Sequence, residues 1–493
     1  MLRDKQNKIQ TNKRVRQAFT QPIDTLLPSA KHLSHGLKPS PFVCYFCYSF
    51  ITLLIFGFVF FPYNTLTHLG GLIGIFGALT ACLRLAATAA PLKKQHCADL
   101  CFEDKDPLDV WPRYTVLVPL YKEAAIVETL MENLAAIDYP QDRLEIMMIC
   151  EADDKESLWA VRSNLRPPFK LITVPHSKPK TKPKALNYAL KMARGDLVTI
   201  YDAEDKPHPQ QLKLAALRFA ADETLGALQA PLDYYNVSTN WLTRQFTLEY
   251  AFLFRVWLPF LTRLGLPFPL GGTSNHIRRE VLDLTQGWDA YNVTEDADLS
   301  FRMAGLGYKI GYIPLPTREE AVENWHAWRY QRARWIKGFL QTWLVHMSRP
   351  ILPGGLAGLT RFITIQLTIG SALIAGLIHT PFMIYILVVC SLKIYGYEVH
   401  SPSIWVWSGI GLCYAAGMIS GAIAAIRLGE KQLLAQVVFM PLYWWLLFPA
   451  TLQAIWEFLF APFHWNKTEH GLTTMSEDKS KKNAPPNVRG LTS

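Results

Sequence analysis

The sequence predicts an α/β domain with a mostly parallel sheet, inserted between α-helical transmembrane segments. Three features of the 493-residue chain predict this fold class: long uncharged runs near both ends, alternating strand and helix patterns between them, and acidic residues directly after several strands. Hydrophobic residues make up 50% of the chain and are concentrated in the uncharged runs. Core helices of soluble proteins rarely stay uncharged for so long, so the runs favour an integral membrane protein.

Basic residues dominate residues 1–41, which we expect to form a cytoplasmic tail. This segment carries eight lysines and arginines against two acids, Asp4 and Asp24. The cytoplasmic flanks of membrane helices carry an excess of positive charge, which favours this orientation. A signal peptide would place its apolar segment nearer to the first residue.

Two transmembrane helices are predicted within residues 42–90. Residues 42–63 and 69–83 contain no charged residue, and a membrane-spanning helix needs about 20 apolar residues. Two spans return the chain to the cytoplasm. Residues 91–348 are therefore predicted to be a cytoplasmic domain of a multi-pass protein in the inner (plasma) membrane.

Residues 349–463 are predicted to contain interfacial and transmembrane helices. Uncharged runs cover residues 362–392, 401–426 and 432–456. The first run is interrupted by "HTP" at 379–381, so it forms either one tilted span or two short ones. The region thus holds three or four spans, and a polar tail follows over residues 464–493.

The region between the two sets of membrane segments alternates strands and helices. Strands are predicted at 114–119, 144–150, 169–175 and 196–202, with helices over 123–137, 154–165, 183–193 and 208–222. Such alternation implies a mostly parallel sheet with helices on both faces. Ligands of these sheets bind beyond the carboxyl ends of the strands.

Polar residues follow three of these strands at the edge where ligands bind. The first strand runs into "VPLYKE", the second into "EADD" and the fourth into "YDAEDKP". The last of these crowds Asp202, Glu204 and Asp205 into one turn, where the carboxylates repel each other unless a cation lies between them. A solvated turn explains any single loop equally well, but three acidic loops at one edge favour a ligand site.

Four motifs in order resemble the membrane-embedded, inverting family 2 glycosyltransferases of the cellulose, chitin and hyaluronan synthase type. They are Asp153 in "EADD", Asp202 in "YDAED", Asp296 in "VTEDADL", and "QRARW" at 331–335. The resemblance covers residues 113–340 and implies a GT-A fold. It also implies transfer of a sugar from a nucleotide (UDP-) sugar to the end of a growing β-linked polysaccharide, processive and coupled to export.

The resemblance assigns a metal site and a catalytic base. Asp202 and Glu204 occupy the D-x-D position and would hold Mg²⁺ or Mn²⁺, with Asp205 as a substitute or additional ligand. Glutamate at the third position departs from the family pattern and leaves open which carboxylate binds the metal, although we favour Glu204. Asp296, with Glu295 beside it, is the predicted catalytic base. The same residues also fit an ordinary helix N-terminus, and the two roles are compatible.

The resemblance also assigns substrate-binding residues. On a helix, Gln331, Arg334 and Trp335 share one face; Arg334 would bind the departing diphosphate, and the other two would line the acceptor sugar site. The predicted donor-binding residues are Tyr121, Glu123, Asp153 and Lys184, the last near the diphosphate. The "LGGTSNHIRRE" segment at 270–280 is predicted as a loop near the donor sugar. An amphipathic interfacial helix is the alternative explanation for "QRARW".

A gating segment is predicted after the last membrane helix. "FHWNKTEHG" at 463–471 loosely resembles the segment that closes over bound nucleotide in cellulose synthases, with Lys467, Thr468 and His470 touching the donor. The predicted partners are a nucleotide sugar donor, a glycan acceptor and the lipid bilayer, with an accessory export subunit left open. Nucleic acid is not predicted, because no basic face with interleaved aromatic residues is present. The alternative function is transfer of a single sugar to a polyprenyl phosphate or another lipid acceptor.

Overall fold

The computed structural model describes residues 41–90, 108, 110–347, 356–399 and 403–462. The predicted tails and the gating residues Lys467, Thr468 and His470 lie outside the described residues. Within them, an α/β domain follows two apolar helices and precedes a second apolar helical region. This order confirms the predicted fold class.

The central sheet of the domain contains seven strands. In chain order these are β1 (Tyr114–Leu120), β2 (Leu144–Glu151), β3 (Phe169–Val174), β4 (Leu197–Ile200), β6 (Leu225–Gln229), β8 (Asn275–Arg278) and β9 (Lys309–Tyr312). Their spatial order is β3-β2-β1-β4-β8-β6-β9. Only β8 is antiparallel to its neighbours, β4 and β6. The sheet is therefore mostly parallel, as predicted for a GT-A domain, although part of the predicted loop at 270–280 forms β8.

The remaining strands form a small sheet in the order β5-β10-β7. Its strands are β5 (Lys206–Pro207), β7 (Leu232–Tyr234) and β10 (Thr317–Glu319). Strand β5 begins just after the acidic turn of β4, and pairs with β10. The small sheet therefore fixes the C-terminal end of that turn.

Helices cover both faces of the central sheet. Those of the domain are α3 (Val127–Ala135), α4 (Lys155–Ser163), α5 (Lys182–Leu190), α6 (Gln211–Ala221), α7 (Trp241–Phe252), α8 (Leu258–Arg263), α9 (Arg279–Leu284), α10 (Glu295–Gly305) and α11 (Trp325–Met347). Successive side chains of β1 alternate between two cores: Val116 and Val118 pack on one side, and Leu117 packs on the other. Burial on both faces explains why this strand reads as a continuous apolar run.

The order of the strands places a binding crevice between β1 and β4. From β1 the sheet extends to β2 and β3 on one side, and to β4 on the other. Helices that connect strands in opposite directions diverge at such a point, which leaves a crevice at the carboxyl ends of the strands. Tyr121 and Asp202 follow β1 and β4 directly, so both lie at this crevice.

The apolar helices are α1 (Pro41–Phe60) and α2 (Pro62–Ala89) before the domain, and α12 (Leu356–Ile365), α13 (Ser371–Ile394), α14 (Ile404–Leu428), α15 (Met440–Trp445) and α16 (Leu447–Phe460) after it. Among the described residues, four stretches are long and apolar enough to cross a membrane: His68–Ala89, Gly358–Ile394, Ile404–Leu428 and Lys431–Phe460. The second is one continuous helical stretch, in which Gln366–Gly370 is a π-helical turn and Pro381 lies inside α13. The "HTP" sequence therefore does not divide it into two spans.

Small residues let α2 and α14 pack closely. A Cβ atom added at Gly409 would lie 2.8 Å from the carbonyl oxygen of Gly74, so the two backbones are in direct contact. Glycine at such crossings is typical of packed membrane helices.

The domain is fastened to the apolar helices through α7 and α11. Phe246 and Trp328 share a buried cluster with Leu433, Val437 and Tyr443. The Trp328 indole donates a hydrogen bond to the Tyr443 hydroxyl over 3.1 Å. The α/β domain and the apolar helices thus share one core.

Candidate active site

One cavity of about 1070 Å³ joins the carboxyl edge of the sheet to the apolar helices. Its domain side is lined by residues that follow β1 and β4, by the loop before β8 and by the start of α10. Its other side is lined by α2, α13 and α14. Of the predicted site residues, those that line it are Tyr121, Glu123, Asp202, Glu204, Glu295, Asp296, Gln331, Arg334 and Trp335.

The acidic turn after β4 separates its three carboxylates. Asp202 and Glu204 line the cavity, whereas Asp205 is fully buried beneath the turn. The Asp205 carboxylate accepts hydrogen bonds from the Asp202 backbone N–H over 2.7 Å and from the Thr273 hydroxyl. Burial, and then the charges of Asp202 and Glu204, raise the pKa of Asp205 well above its ordinary value. Asp205 therefore holds the turn together and does not face the cavity, contrary to the prediction that it assists at the metal.

A lysine supplies the cation that the acidic turn requires. Lys182 Nζ lies 2.5 Å from Asp202 Oδ1 and 2.9 Å from the carbonyl oxygen of Gly272. Burial alone lowers the pKa of Lys182, but the charges of Asp202 and Glu295 outweigh it and raise this pKa above its ordinary value. Lys182 therefore remains positively charged in the cavity.

Lys184, the lysine of "TKPKALN" that was predicted near the diphosphate, does not occupy this position. Lys184 does not line the cavity, and it pairs with Glu151 at the end of β2 over 2.8 Å. Lys182 is the first residue of α5, and side chains of a helix point back towards its N-terminus. The sequence indicated a lysine at this position, since both Lys182 and Lys184 lie at the start of the helix. Which of the two faces Asp202 depends on the residue at which the helix begins.

Glu295 and Asp296 lie in the first turn of α10. The Ala297 backbone N–H donates to Asp296 Oδ1 over 2.8 Å. A Cβ atom placed on Gly272 would be 3.5 Å from Asp296 Oδ2 and 3.7 Å from Lys182 Nζ. The Asp296 carboxylate and the Lys182 ammonium group therefore both lie beside Gly272 in the cavity. Thr294 precedes the helix, but its side chain does not cap it.

Burial sets the charge state of this carboxylate pair. It raises the pKa of both Glu295 and Asp296 above the ordinary carboxyl range, and for Glu295 the neighbouring Asp296 charge adds to the effect. The positive charge of Lys182 opposes the rise in both. A carboxylate with a raised pKa is a better proton acceptor than an ordinary aspartate near neutral pH.

Three residues of the "QRARW" motif face the cavity from α11. Gln331, Arg334 and Trp335 all line it, which agrees with their predicted common face. Gln331 Oε1 and Arg334 Nε are buried and have no hydrogen-bond partner within the described part of the chain. Buried polar atoms are seldom left unpaired in proteins, so these two are suited to hydrogen bonding with a ligand.

Arg332 of the same motif also lines the cavity, but its side chain is held by partners within the protein. Its guanidinium donates to both oxygens of Glu249 on α7, each over 2.5 Å, and to the Tyr443 hydroxyl on α15 over 3.0 Å. This residue was not predicted as part of the site. Arg332 therefore links α11 to α7 in the domain and to α15 among the apolar helices.

The loop before Asp296 is held by the second half of α11. The Asn292 side chain donates to the Thr342 hydroxyl over 2.9 Å, and the Val293 backbone N–H donates to Gln341 Oε1 over 3.1 Å. A Cβ atom added at Gly338 would lie only 2.8 Å from Thr294 Cβ, so this contact requires glycine. The helix that carries the "QRARW" motif therefore also positions Asp296.

Tyr121, Lys180 and Asp153 form a second cluster at the crevice between β1 and β4. Lys180 Nζ lies 4.0 Å from the centre of the Tyr121 ring and 2.6 Å from Asp153 Oδ2. Tyr121 and Lys180 line the cavity, whereas Asp153 meets it only through Lys180. An aromatic ring with polar groups beside it suits a flat heterocycle with a ribose.

The residues at the acidic turn fit a divalent cation that is shared with a substrate. Asp202 and Glu204 offer oxygen ligands on one wall, and Mg²⁺ often takes one or two carboxylates together with substrate phosphates. Among the described residues, no three His, Cys, Asp or Glu side chains are grouped so that they could hold a metal ion by themselves. The arrangement therefore fits a metal that binds together with a phosphate ligand.

The family described as Glycosyltransferase like family 2 matches residues 112–338. The chain is 29% identical over 238 residues to a probable glycosyltransferase, YdaM, of Bacillus subtilis (strain 168), which covers 46% of this chain and 55% of that protein. It is 28% identical over 242 residues to a beta-monoglucosyldiacylglycerol synthase of Synechocystis sp., which covers 48% and 49% of the two chains.

A third relative and a solved structure extend these comparisons. The chain is 26% identical over 277 residues to a probable glucomannan 4-beta-mannosyltransferase of Oryza sativa subsp. japonica, which covers 54% of this chain and 48% of that protein. The mannosyltransferase PcManGT of Pyrobaculum calidifontis, solved with GDP-Man and Mn²⁺, is 20% identical with a TM-score of 0.43, over 79% of this chain and 99% of that one. The chain spans about half the length of the curated relatives it matches.

Removing the Asp205 carboxylate should destabilise the protein and leave its metal dependence intact. In Asp205→Ala the Asp202 N–H and the Thr273 hydroxyl lose a buried acceptor, which costs about 1–3 kcal/mol and lowers the melting temperature in detergent. Glu204→Ala, at a residue that faces the cavity, should melt close to wild type and weaken Mn²⁺-dependent nucleotide binding measured by calorimetry. The reverse pattern would show that Asp205 is the metal ligand.

Proposed function

We propose that this chain, which contains a glycosyltransferase family 2 domain over residues 112–338, transfers a sugar from a nucleotide diphosphate sugar to an acceptor hydroxyl with inversion at the anomeric carbon. One observation carries the proposal. A single cavity brings together a carboxylate pair suited to a metal–diphosphate, unpaired polar atoms on α11, and an aspartate with a raised pKa. We place this domain on the cytoplasmic side, following the positive charge of residues 1–41.

Asp202 and Glu204 would hold Mg²⁺ or Mn²⁺ at the diphosphate of the donor. When bound, such an ion neutralises the developing charge of the leaving group. Arg334 and Lys182 bring two further positive charges to the same cavity, and Tyr121 with Lys180 provides a surface for the nucleoside. These residues orient the donor and stabilise the nucleoside diphosphate as it leaves.

Asp296 would act as the general base. Its raised pKa suits proton abstraction from the acceptor hydroxyl as that oxygen attacks the anomeric carbon. The oxygen–carbon bond forms on one side while the bond to the diphosphate breaks on the other, so one displacement inverts the configuration. Trp335 on α11 offers an apolar ring face to a sugar, and Gln331 Oε1 offers a hydrogen-bond acceptor.

The side chains that line the cavity help to distinguish a polysaccharide acceptor from a lipid acceptor. The resemblance implies a growing β-linked polysaccharide, and a glycan that crosses the membrane needs a path lined by hydrogen-bonding groups. On the side of the apolar helices the cavity is lined chiefly by apolar side chains, among them Ile73, Phe76, Ile374 and Met383. This lining supports the alternative, a lipid acceptor, over processive export.

Donor turnover by the purified full chain tests the proposal. A panel of UDP- and GDP-sugars with Mg²⁺ or Mn²⁺ should yield transfer from at least one donor, detected as release of the nucleoside diphosphate. Asp296→Asn should lower the rate by about 10²–10⁴-fold, because general-base catalysis contributes that much. Asp283→Asn, at an exposed position of α9, is the matched control and should behave as wild type. Normal turnover by Asp296→Asn would remove this residue as the base.

The rate should also fall on the acid side at an unusually high pH. The base must be deprotonated, so kcat/KM is lost as the pH falls through the Asp296 pKa, which lies above the usual value of about 3.9. Lys182→Met removes a charge that lowers this pKa and should move the acid limb to still higher pH. Lys184→Met, outside the cavity, should leave it in place. An acid midpoint near pH 4 in the wild type would contradict the assignment.

Gly338→Ala should lower kcat more than it raises the KM for the donor. The added methyl pushes α11 away from Thr294 and displaces Asp296, and a misplacement of about 1 Å costs on the order of 10²-fold in rate. Gly411→Ala is the control, since no atom lies within 4 Å of a Cβ added there. If both variants react at the wild-type rate, the contact between α11 and α10 has no part in positioning the base.

A further inference from the structure

Arg84 is a charged residue within an apolar helix. It lies on α2, in the stretch His68–Ala89 that is long and apolar enough to cross a membrane. It is five residues from Ala89, about 7.5 Å along the helix axis, and therefore near one end of the span. Ionisable side chains in such helices are rare, and they commonly mark a ligand site.

The Arg84 side chain lines the cavity described above. Its guanidinium carbon lies 4.0 Å from the centre of the Phe252 ring. Its Nε atom is buried without a hydrogen-bond partner, and no side chain of the described residues forms an ion pair with it. The ring covers one face of the guanidinium and leaves its edge for a ligand.

The nearby acid, Glu249, is already paired with another arginine. Glu249 also lines the cavity, but both of its oxygens accept from Arg332, and it accepts a further bond of 2.6 Å from the Tyr443 hydroxyl. Among the described residues, Arg84 therefore has no carboxylate within ion-pair distance that is bonded to it alone.

The cavity around Arg84 is apolar on the side of the membrane helices. Gly77, Thr80 and Ala81 of α2 and Ile374 and Ile378 of α13 line it, and the Ile374 side chain is exposed. An apolar groove with one cation near its end is complementary to a lipid with an anionic headgroup. The acyl or prenyl chain fits the groove, and the anionic group fits the arginine.

We propose that Arg84 binds the phosphate of a membrane lipid that serves as the sugar acceptor. This inference rests on the proposed function and names its acceptor class. Each of two arginines then binds a different anionic group: Arg334 binds the diphosphate of the donor, and Arg84 binds the phosphate of the lipid. The lipid enters from the apolar helices and presents its nucleophile to the anomeric carbon at Asp296.

Two sources of a lipid phosphate give the same contact with Arg84 but different chemistry. In a glycerophospholipid with a headgroup hydroxyl, that hydroxyl attacks the anomeric carbon and gives its proton to Asp296. In a polyprenyl phosphate, an ionised phosphate oxygen attacks and has no proton to give. In both cases the bond from the anomeric carbon to the diphosphate breaks, and the nucleoside diphosphate leaves.

The experiment uses the full chain in phosphatidylcholine vesicles with a labelled nucleotide sugar and Mg²⁺ or Mn²⁺. The vesicles carry phosphatidylglycerol, polyprenyl phosphate or diacylglycerol, and the label in the lipid extract is measured. Transfer should require one of the two phosphate lipids. Arg84→Gln should raise the KM for that lipid about tenfold or more, as expected for the loss of a charge-assisted hydrogen bond, and Arg84→Lys should restore most of the affinity. Lys393→Gln, a basic residue at an end of α13 outside the cavity, is the control.

A binding measurement keeps the test independent of turnover. Brominated phosphatidylglycerol should quench the tryptophan fluorescence of wild type more than brominated phosphatidylcholine, through Trp257 and Trp444 of the cavity wall. Arg84→Gln should lose this preference while retaining the wild-type melting temperature.

The two proposals fail in different ways. Transfer to diacylglycerol as efficient as to either phosphate lipid, with Arg84→Gln unchanged, would overturn the role of Arg84 and leave the proposed function standing. Absence of turnover with every donor and every lipid would instead overturn the proposed function. Transfer to polyprenyl phosphate that survives Asp296→Asn would remove Asp296 as the base and would support the ionised phosphate as the nucleophile at the Arg84 site.

Discussion

The contact between α11 and the start of α10 is the constraint on which the site depends. The first half of α11 places Gln331, Arg334 and Trp335 on the cavity wall, and its second half holds the loop that precedes Asp296. Two ion pairs fix this helix against its surroundings: Arg332 with Glu249, and the fully buried Lys337 with Glu457 of α16 over 2.9 Å. Breaking either pair would leave an uncompensated buried charge. One helix therefore holds Arg334, the loop before Asp296 and the apolar helices in fixed positions relative to one another.

The charges of the cavity follow a consistent physical pattern. At the crevice between β1 and β4, Lys182 pairs with Asp202. Its positive charge also limits the rise that burial causes in the pKa of Glu295 and Asp296. A divalent cation that arrives with a diphosphate would compete for the same Asp202 carboxylate, which would free the lysine to face the phosphates. Under the proposed function, Lys182 would balance the charge of Asp202 until a substrate brings its own cation. Its position explains how three acidic residues can crowd into one turn.

The strands and helices that follow from periodicity could be predicted from the sequence. Which of two neighbouring polar residues lines the cavity could not. Apolar runs that are buried on both faces identified β1, β2 and β4, and parallel strands bring Tyr121 and Asp202 to one edge by geometry alone. The direction of Asp205 could not be predicted, because it depends on Thr273, which is 68 residues away in sequence. The choice between Lys182 and Lys184 required the exact first residue of α5, and helix boundaries are the least certain part of such predictions. Arg332 was missed because its partners, Glu249 and Tyr443, lie in other elements, and Arg84 was missed because the cavity that it lines is formed by several elements.

The shared cavity links the identity of the acceptor to the chemistry of the base. Burial raises the pKa of Asp296, so the role that we propose for it as the base depends on keeping water out of the cavity. An acceptor that arrived through solvent would bring water to the base and expose the donor to hydrolysis. An acceptor that enters between α2 and α13 meets an apolar wall and displaces water as it approaches Asp296. If the acceptor is a lipid, as we propose, the apolar helices would form the water-free side of the cavity, and Arg84 is the one charge in α2 that lines it.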